Sequence, residues 1–162
     1  LPAEYTMLPY ALDRLQHKPQ LKQWLQDGKW VVLDRYTYSN AFSIAKTPQS
    51  EWMSRISFLE DLEFNQLGIT KPDWNIYLYL DPVVSFNMRT QGLKPYQNGK
   101  PDIHESDFQL LKDVSDVYLQ IANTRPNWSF VNEMNTDGSR LTIDQVFDRL
   151  KPVLNKLLTR TK

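Results

Sequence analysis

The residues best equipped for chemistry stand together at the end of an apolar run. Lys29-Trp30-Val31-Val32-Leu33 opens directly onto Asp34-Arg35-Tyr36-Thr37-Tyr38-Ser39-Asn40, so β-branched and apolar residues give way to an acid, a base, an aromatic and several small polar groups. In an α/β chain the carboxyl end of a strand is where reactive side chains are delivered, and the pattern predicts a buried strand with a wet tip. The fork of an arginine guanidinium matches an anion such as phosphate, and a carboxylate beside it either holds a cation or orients that guanidinium. Phosphate chemistry is one reading of Asp34 and Arg35; a structural ion pair closing a strand is the other. A second candidate pair, Tyr10 and Arg14, is four residues apart in a helical pattern and projects from one face. His17 and His104 are far apart and there is no cysteine, so neither a thiolate nor a histidine-based metal site is expected.

Composition predicts one α/β domain covering residues 1–162, with 41% hydrophobic and 12% aromatic residues to build its core. Nineteen basic and nineteen acidic side chains cancel, which removes the electrostatic case for a general nucleic-acid or membrane-surface binder. Without cysteine there is no disulfide framework, and no run has the length of a membrane span or the pattern of a signal peptide. The expectation is a cytoplasmic protein with no nucleic-acid and no membrane partner.

The elements that must position these groups alternate. Tyr5, Leu8, Leu12 and Leu15 fall at helical spacing, with Pro9 predicted to kink the helix. Lys18-Pro19 ends or bends it, and a second short helix bearing Leu21, Trp24 and Leu25 runs to Gly28, a good C-cap. After the strand, residues 41–49 read as an irregular turn. Ser50 then caps a helix with Trp52, Ile56, Leu59 and Leu62 on one side. Trp74 to Leu80 is a buried strand closed by Asp81-Pro82, from which a helix starts. Ser106 caps a helix carrying Phe108, Leu111, Val114, Tyr118 and Ile121. Trp128 to Val131 is a third strand, Asp137-Gly138 a turn, and Ile143, Val146, Phe147, Leu150, Leu154 and Leu157 line a closing helix that contains Pro152. Strands separated by helices imply a parallel sheet with crossovers.

Four segments in this order resemble thymidylate kinases: Tyr10-Ala11-Leu12-Asp13-Arg14; Gly28 to Tyr36 with Tyr38-Ser39-Asn40; Lys71-Pro72-Asp73; and Asp81-Pro82 after a strand. The resemblance implies a three-layer P-loop nucleoside monophosphate kinase fold around a central parallel sheet. It also implies phosphoryl transfer from Mg-ATP to a deoxynucleoside monophosphate, normally dTMP, and a homodimer formed through helices such as the one bearing Trp52. Carried over residue by residue, Tyr10 stacks on the base, and Arg14 hydrogen-bonds the base or approaches the acceptor phosphate. Arg35 grips the monophosphate and, with Asp34, is the catalytic pair. Asp34 either orients Arg35 or reaches the Mg2+ shell through water. Ser39 and Asn40 line the base pocket; ordinary turn chemistry explains those two equally well.

Residues 89–105 correspond to the kinase lid. Arg89 matches an arginine over the adenine of ATP, and Asp102 and Glu105 match acids of a substrate-binding pattern; Lys94 and Lys100 either neutralise nucleotide phosphate charge as point donors or belong to a solvated loop that only covers the site. In that pattern the arginine expected after the first acid is absent, since the chain reads Asp102-Ile103-His104-Glu105. No G-x-x-x-x-G-K-[ST] phosphate loop occurs in the sequence. The family carries it on a first strand, so the expectation is a strand-loop-helix unit of roughly 40 to 60 residues ahead of Leu1. Without that strand the remaining sheet is not expected to fold alone. A related kinase of other base specificity and a non-catalytic nucleotide-binding homologue are the alternatives.

Overall fold

The computed structural model describes residues 3–91 and 107–160, with side chains described for 5–88 and 107–159. It is a mostly helical α/β chain with a small parallel sheet, divided into two compact units, Leu1–Asp73 and Trp74–Lys162.

The first unit opens on α1, a single helix over Ala3–Gln26. The helix does not end at Lys18-Pro19, and both Pro9 and Pro19 lie inside it. Each proline removes one amide donor, but both rings are on exposed positions, where water reaches the backbone around them. The helix also turns a different face inward from the one expected. Met7 and Ala11 are fully buried, whereas Tyr5, Leu8 and Leu12 are exposed. The inward stripe continues through the half-buried Arg14 and Lys18, whose charges find partners: Arg14 bonds Glu63, and Lys18 Nζ donates to the Leu67 carbonyl at 2.9 Å. Gly28 ends the helix as expected. Its φ of 73° lets the Lys29 amide reach back to the Trp24 carbonyl at 3.0 Å and its own amide to that of Leu25, the paired bonds of a Schellman cap.

The expected strand at 29–33 is not formed. No ladder pairs with it among the described residues, and Trp30 and Val32 are 60% and 93% exposed. An apolar, β-branched run becomes a strand only when a neighbour takes its backbone donors and acceptors. After it come a 3-10 turn over Thr37–Asn40 and a short helix, α2 (Ala41–Ile44), where an irregular turn was expected. A second 3-10 turn, Gln49–Glu51, leads into α3 (Trp52–Glu60). Ser50 lies within that turn and does not cap α3; the cap position is Glu51, whose carboxylate accepts from Arg55 and caps no helix amide. Trp52, Ile56 and Leu59 are core residues as expected, and Trp52 Nε1 donates to the Thr47 carbonyl at 3.1 Å. The helix then widens into a π-helical turn, Asp61–Gln66, which carries Glu63 inward.

The second unit is built on two parallel strands, β1 (Asn75–Tyr79) and β2 (Trp128–Asn132), in register from Asn75 opposite Trp128 to Tyr79 opposite Asn132. Between them lie α4 (Pro82–Gln91) and α5 (Phe108–Thr124). The Asp81 carboxylate accepts from the Val83 and Val84 amides while Pro82 takes the first helical position, where a missing amide costs nothing. The cap of α5 is Asp107, which accepts from the Leu110 amide at 3.0 Å; the expected Ser106 lies outside the described residues. Val117 and Ile121 of α5 and Val131 of β2 are buried. Against them Tyr77 stacks on Tyr118 with centroids 5.1 Å apart and shares a 3.1 Å hydrogen bond with the buried Ser115 hydroxyl. Desolvation of this ring pushes its phenol up to about 12; the Ser115 bond offsets that only in part, while the neighbouring Tyr118, Tyr79 and Asp116 add to it. The closing helix, α6 (Ile143–Arg160), contains Pro152 and starts on a capping box in which Thr142 and Gln145 bond each other's amides. Its expected apolar line is only partly covered, with Ile143 83% exposed. Among the described residues no helix is long and apolar enough to cross a membrane.

Candidate active site

A cleft of about 480 Å³ opens between α1 and the stretch that follows it, within the first unit. The helix contributes Tyr10, Arg14 and His17 to its wall, and the following stretch contributes Arg35, Tyr36, Ser39 and Asn40. Tyr10, Arg14, Arg35, Ser39 and Asn40, five of the residues singled out by the sequence, are thereby brought around one space large enough for a nucleotide-sized ligand. Asp34 does not line it and is exposed, with no hydrogen-bond or ion-pair partner among the described residues. Arg89 belongs to α4 by its backbone, but its side chain is outside the described residues, as are Lys94, Lys100, Asp102 and Glu105.

The two aromatic and cationic groups are held very differently. Tyr10 is 62% exposed, a flat ring presented to solvent with little packed against it. Arg35 is also exposed and has a φ of 69°, the left-handed region that costs a residue with a Cβ about 1–2 kcal/mol. Hydrogen bonds of its side chain and of the residues that follow it surround that backbone. Arg35 Nε donates to Ser39 Oγ at 3.1 Å, the Ser39 amide donates to the Tyr36 carbonyl at 3.0 Å, and the Tyr36 hydroxyl donates to the Thr70 carbonyl at 3.1 Å. Strain of this kind persists only where the surroundings over-determine the conformation, and it gathers at ligand clamps and active sites. Tyr36 is half-buried, and its phenol is raised chiefly by desolvation, with the Glu63 carboxylate adding to the rise and the Arg14 guanidinium opposing it.

Beneath the cleft lies a residue the sequence reading missed. Glu63 is fully buried and its two oxygens accept four hydrogen bonds. Oε2 takes Arg14 Nε at 2.8 Å and Thr37 Oγ1 at 2.7 Å, and Oε1 takes Arg14 Nη2 and, at 3.2 Å, Asn40 Nδ2. Every donor but the arginine's comes from the 3-10 turn just past Arg35. Arg14 is thus gripped along one edge, with the Tyr36 ring 5.9 Å from its guanidinium carbon. Nη1 has no partner among the described residues. Asn40, expected to offer its amide to a ligand, spends the donor end on Glu63 and on the Thr37 carbonyl at 3.1 Å. The signal for Glu63 was present in the spacing: it lies four residues after Leu59 and seven after Ile56, in line with the buried stripe of α3.

At the rim, His17 Nε2 approaches Asp13 Oδ1 at 3.7 Å, both side chains well exposed. Among the described residues there is no group of three or more His, Cys, Asp or Glu side chains arranged for a metal ion.

Comparison with known proteins relates this geometry to a chemistry. No family model matches the chain. Over 115 residues it is 29% identical to the thymidylate kinase of Mycobacterium tuberculosis, covering 70% of this chain and 53% of that protein. It is 33% identical over 118 residues to the probable thymidylate kinase of Staphylothermus marinus, covering 72% and 52% respectively. With the thymidylate kinase of Danio rerio it shares 26% over 156 residues, covering 94% and 62%. Over most of its length the chain is therefore similar to thymidylate kinases of bacteria, archaea and animals, and it spans about half the length of the first two.

Proposed function

We propose that this chain is part of a thymidylate kinase and that the cleft between α1 and residues 33–43 receives dTMP as the acceptor for the γ-phosphoryl group of Mg-ATP, yielding dTDP. The observation that carries the reading is the convergence of Tyr10, Arg14, Arg35, Ser39 and Asn40 on one cleft, in a chain similar to thymidylate kinases. The three-layer P-loop arrangement, the homodimer and the lid at 89–105 belong to the same proposal.

The chemistry asked of these residues is positioning and charge neutralisation, since a phosphoryl transition state needs little covalent help from the protein. Tyr10, exposed and flat, offers a stacking face to the base. Arg35 offers the acceptor phosphate the donors of its guanidinium, steadied at Nε by the Ser39 hydroxyl. Arg14 keeps Nη1 for an acceptor on the ligand. Magnesium ions in phosphate sites take one or two protein carboxylates and fill the remaining positions with phosphate oxygens and water. Asp34, exposed beside Arg35 and unpaired among the described residues, suits that single-carboxylate role. When bound, Mg-ATP supplies the phosphoryl group and the cation that offsets its charge. Arg89, Lys94 and Lys100 are assigned to the ATP side, and Asp102 and Glu105 to the substrate side of the lid.

The test is a steady-state panel on the full native protein, offering dTMP, dUMP, dCMP, dGMP and thymidine with Mg-ATP. Preference for dTMP with ADP release is expected. Preference for another acceptor gives the related kinase of different base specificity, and nucleotide binding without turnover gives the non-catalytic homologue; either outcome overturns the assignment.

A further inference from the structure

We infer that Glu63 is a positioning residue of the acceptor site, fixing the Arg14 guanidinium and the turn that follows Arg35 in the orientation a bound nucleotide requires. The inference rests on the acceptor-site reading of the cleft. Glu63 does not line the cleft, yet each side chain it bonds belongs to the wall or to its support. Arg14 and Asn40 are wall residues, and Thr37 lies two positions from Arg35. A carboxylate is acceptor-only, and here four donors from three side chains fill both of its oxygens. The arrangement is bidentate toward Arg14, so it fixes the plane of the guanidinium as well as its place. With Nε and Nη2 engaged below, the Nη1 edge is the part left for a ligand.

A counterion that merely compensated a buried arginine would need one or two of these bonds. The additional pair, Thr37 and Asn40, links helix α1 to the 3-10 turn over Thr37–Asn40, and that turn adjoins the strained Arg35 backbone. The π-helical turn over Asp61–Gln66 carries the carboxylate to this point, with the Leu67 amide bonding the Leu62 carbonyl at 2.9 Å and the Ile69 amide bonding that of Glu63 at 2.7 Å. Arg14 and the base of the Arg35 loop therefore share one buried anchor.

Glu63→Gln keeps the size of the side chain but turns one acceptor into a donor that faces other donors. A positioning role predicts that the full native protein carrying E63Q binds dTMP more weakly by on the order of 10- to 100-fold, the usual cost of a small misplacement of a positioning group. The KM for ATP should change less than threefold. Arg14→Lys, which keeps the charge but loses the fork, should produce a similar loss, and E63Q/R14K together should be no weaker than the worse single variant. Isothermal titration with dTMP gives the affinities, and thermal melting records folding separately. Where E63Q does not fold, Glu63→Asp is read instead; it keeps the charge, retracts the carboxylate by one methylene, and should weaken dTMP binding by roughly tenfold. A lower melting temperature with unchanged dTMP affinity in the folded variant assigns Glu63 a structural role alone and overturns the inference. Failure of the wild-type protein to bind dTMP overturns the acceptor-site reading itself, so the two failures are told apart by the wild-type control.

Discussion

Replacing Arg35 by glycine and by alanine separates its backbone from its side chain. Both variants remove the guanidinium, but only alanine retains a Cβ at a φ of 69°. That conformation costs a Cβ-bearing residue about 1–2 kcal/mol. Glycine escapes it but adds about 0.4–1 kcal/mol of unfolded-chain freedom that folding must remove. The central values of the two ranges leave R35G more stable than R35A by about 0.8 kcal/mol, a difference of roughly 2–3 °C in Tm for a chain of this size. The Ser39 bond that both lose is on an exposed side chain and cancels in the comparison. Catalysis should not distinguish the two. Loss of a charge-assisted clamp on the acceptor phosphate costs about 3 kcal/mol or more, at least about 100-fold in kcat/KM for dTMP. Denaturant midpoints by circular dichroism and steady-state kinetics on the full native protein measure both. R35A as stable as R35G refutes the claim that the loop is held under strain, and near-wild-type turnover by either variant refutes the assignment of Arg35 to the phosphate.

Tyr10→Ala should leave the melting temperature within about 1 °C, because the ring is 62% exposed. It should weaken dTMP binding by about 5- to 100-fold through lost base stacking, read by titration; unchanged affinity removes Tyr10 from the site. Gly28→Ala introduces a Cβ that meets no atom within 4 Å, so its cost is purely conformational at φ 73°, about 1 kcal/mol by denaturant titration, and a neutral effect contradicts the left-handed cap. The folded state holds the Tyr77 proton to about pH 12, against about 10 for an ordinary tyrosine. Stability is therefore unaffected by this group below about pH 10 and falls as pH rises toward 12, by up to about 1.4 kcal/mol per unit. Tyr77→Phe should make the decline in urea midpoint between pH 9.5 and 11.5 visibly shallower; an identical slope shows that the ring is not desolvated as described.

What could be read from the sequence followed from local rules. The Gly28 cap, the Pro82 start, the helical stripe of Trp52, Ile56 and Leu59, and the strands around Tyr77 and Val131 rest on residues within a few positions of one another. The strand expected over 29–33 failed because strand formation is a property of a pair, and no partner lies beside it among the described residues. The wrong face of α1 has a different origin. A search for apolar period selects Tyr5, Leu8, Leu12 and Leu15, while the stripe that turns inward runs from the buried Met7 and Ala11 to the half-buried Arg14 and Lys18. Its second half is charged, and no hydrophobicity count can favour it. The same blindness hid Glu63, which continues the stripe of Trp52, Ile56 and Leu59 at the spacing where an apolar residue was sought. The candidate site was legible through resemblance, which names residues without regard to polarity, but its support from below was not.

The two stripes have the same spacing, at relative positions 0, 4, 7 and 11, and each passes from apolar to charged along its length. They meet through Arg14 and Glu63, with the arginine side chain 11% exposed and the glutamate fully buried. Taking both charges out of water costs several kcal/mol per ion, and their attraction offsets this only when geometry and hydrogen bonding are nearly complete. Apolar residues of similar volume would hold α1 to the rest of its unit at least as firmly. Packing therefore does not account for an ion pair at this position. Orientation does, because an apolar contact leaves a side chain free to rotate, whereas a bidentate carboxylate fixes the guanidinium plane of a residue that lines the cleft and leaves its Nη1 without a partner among the described residues.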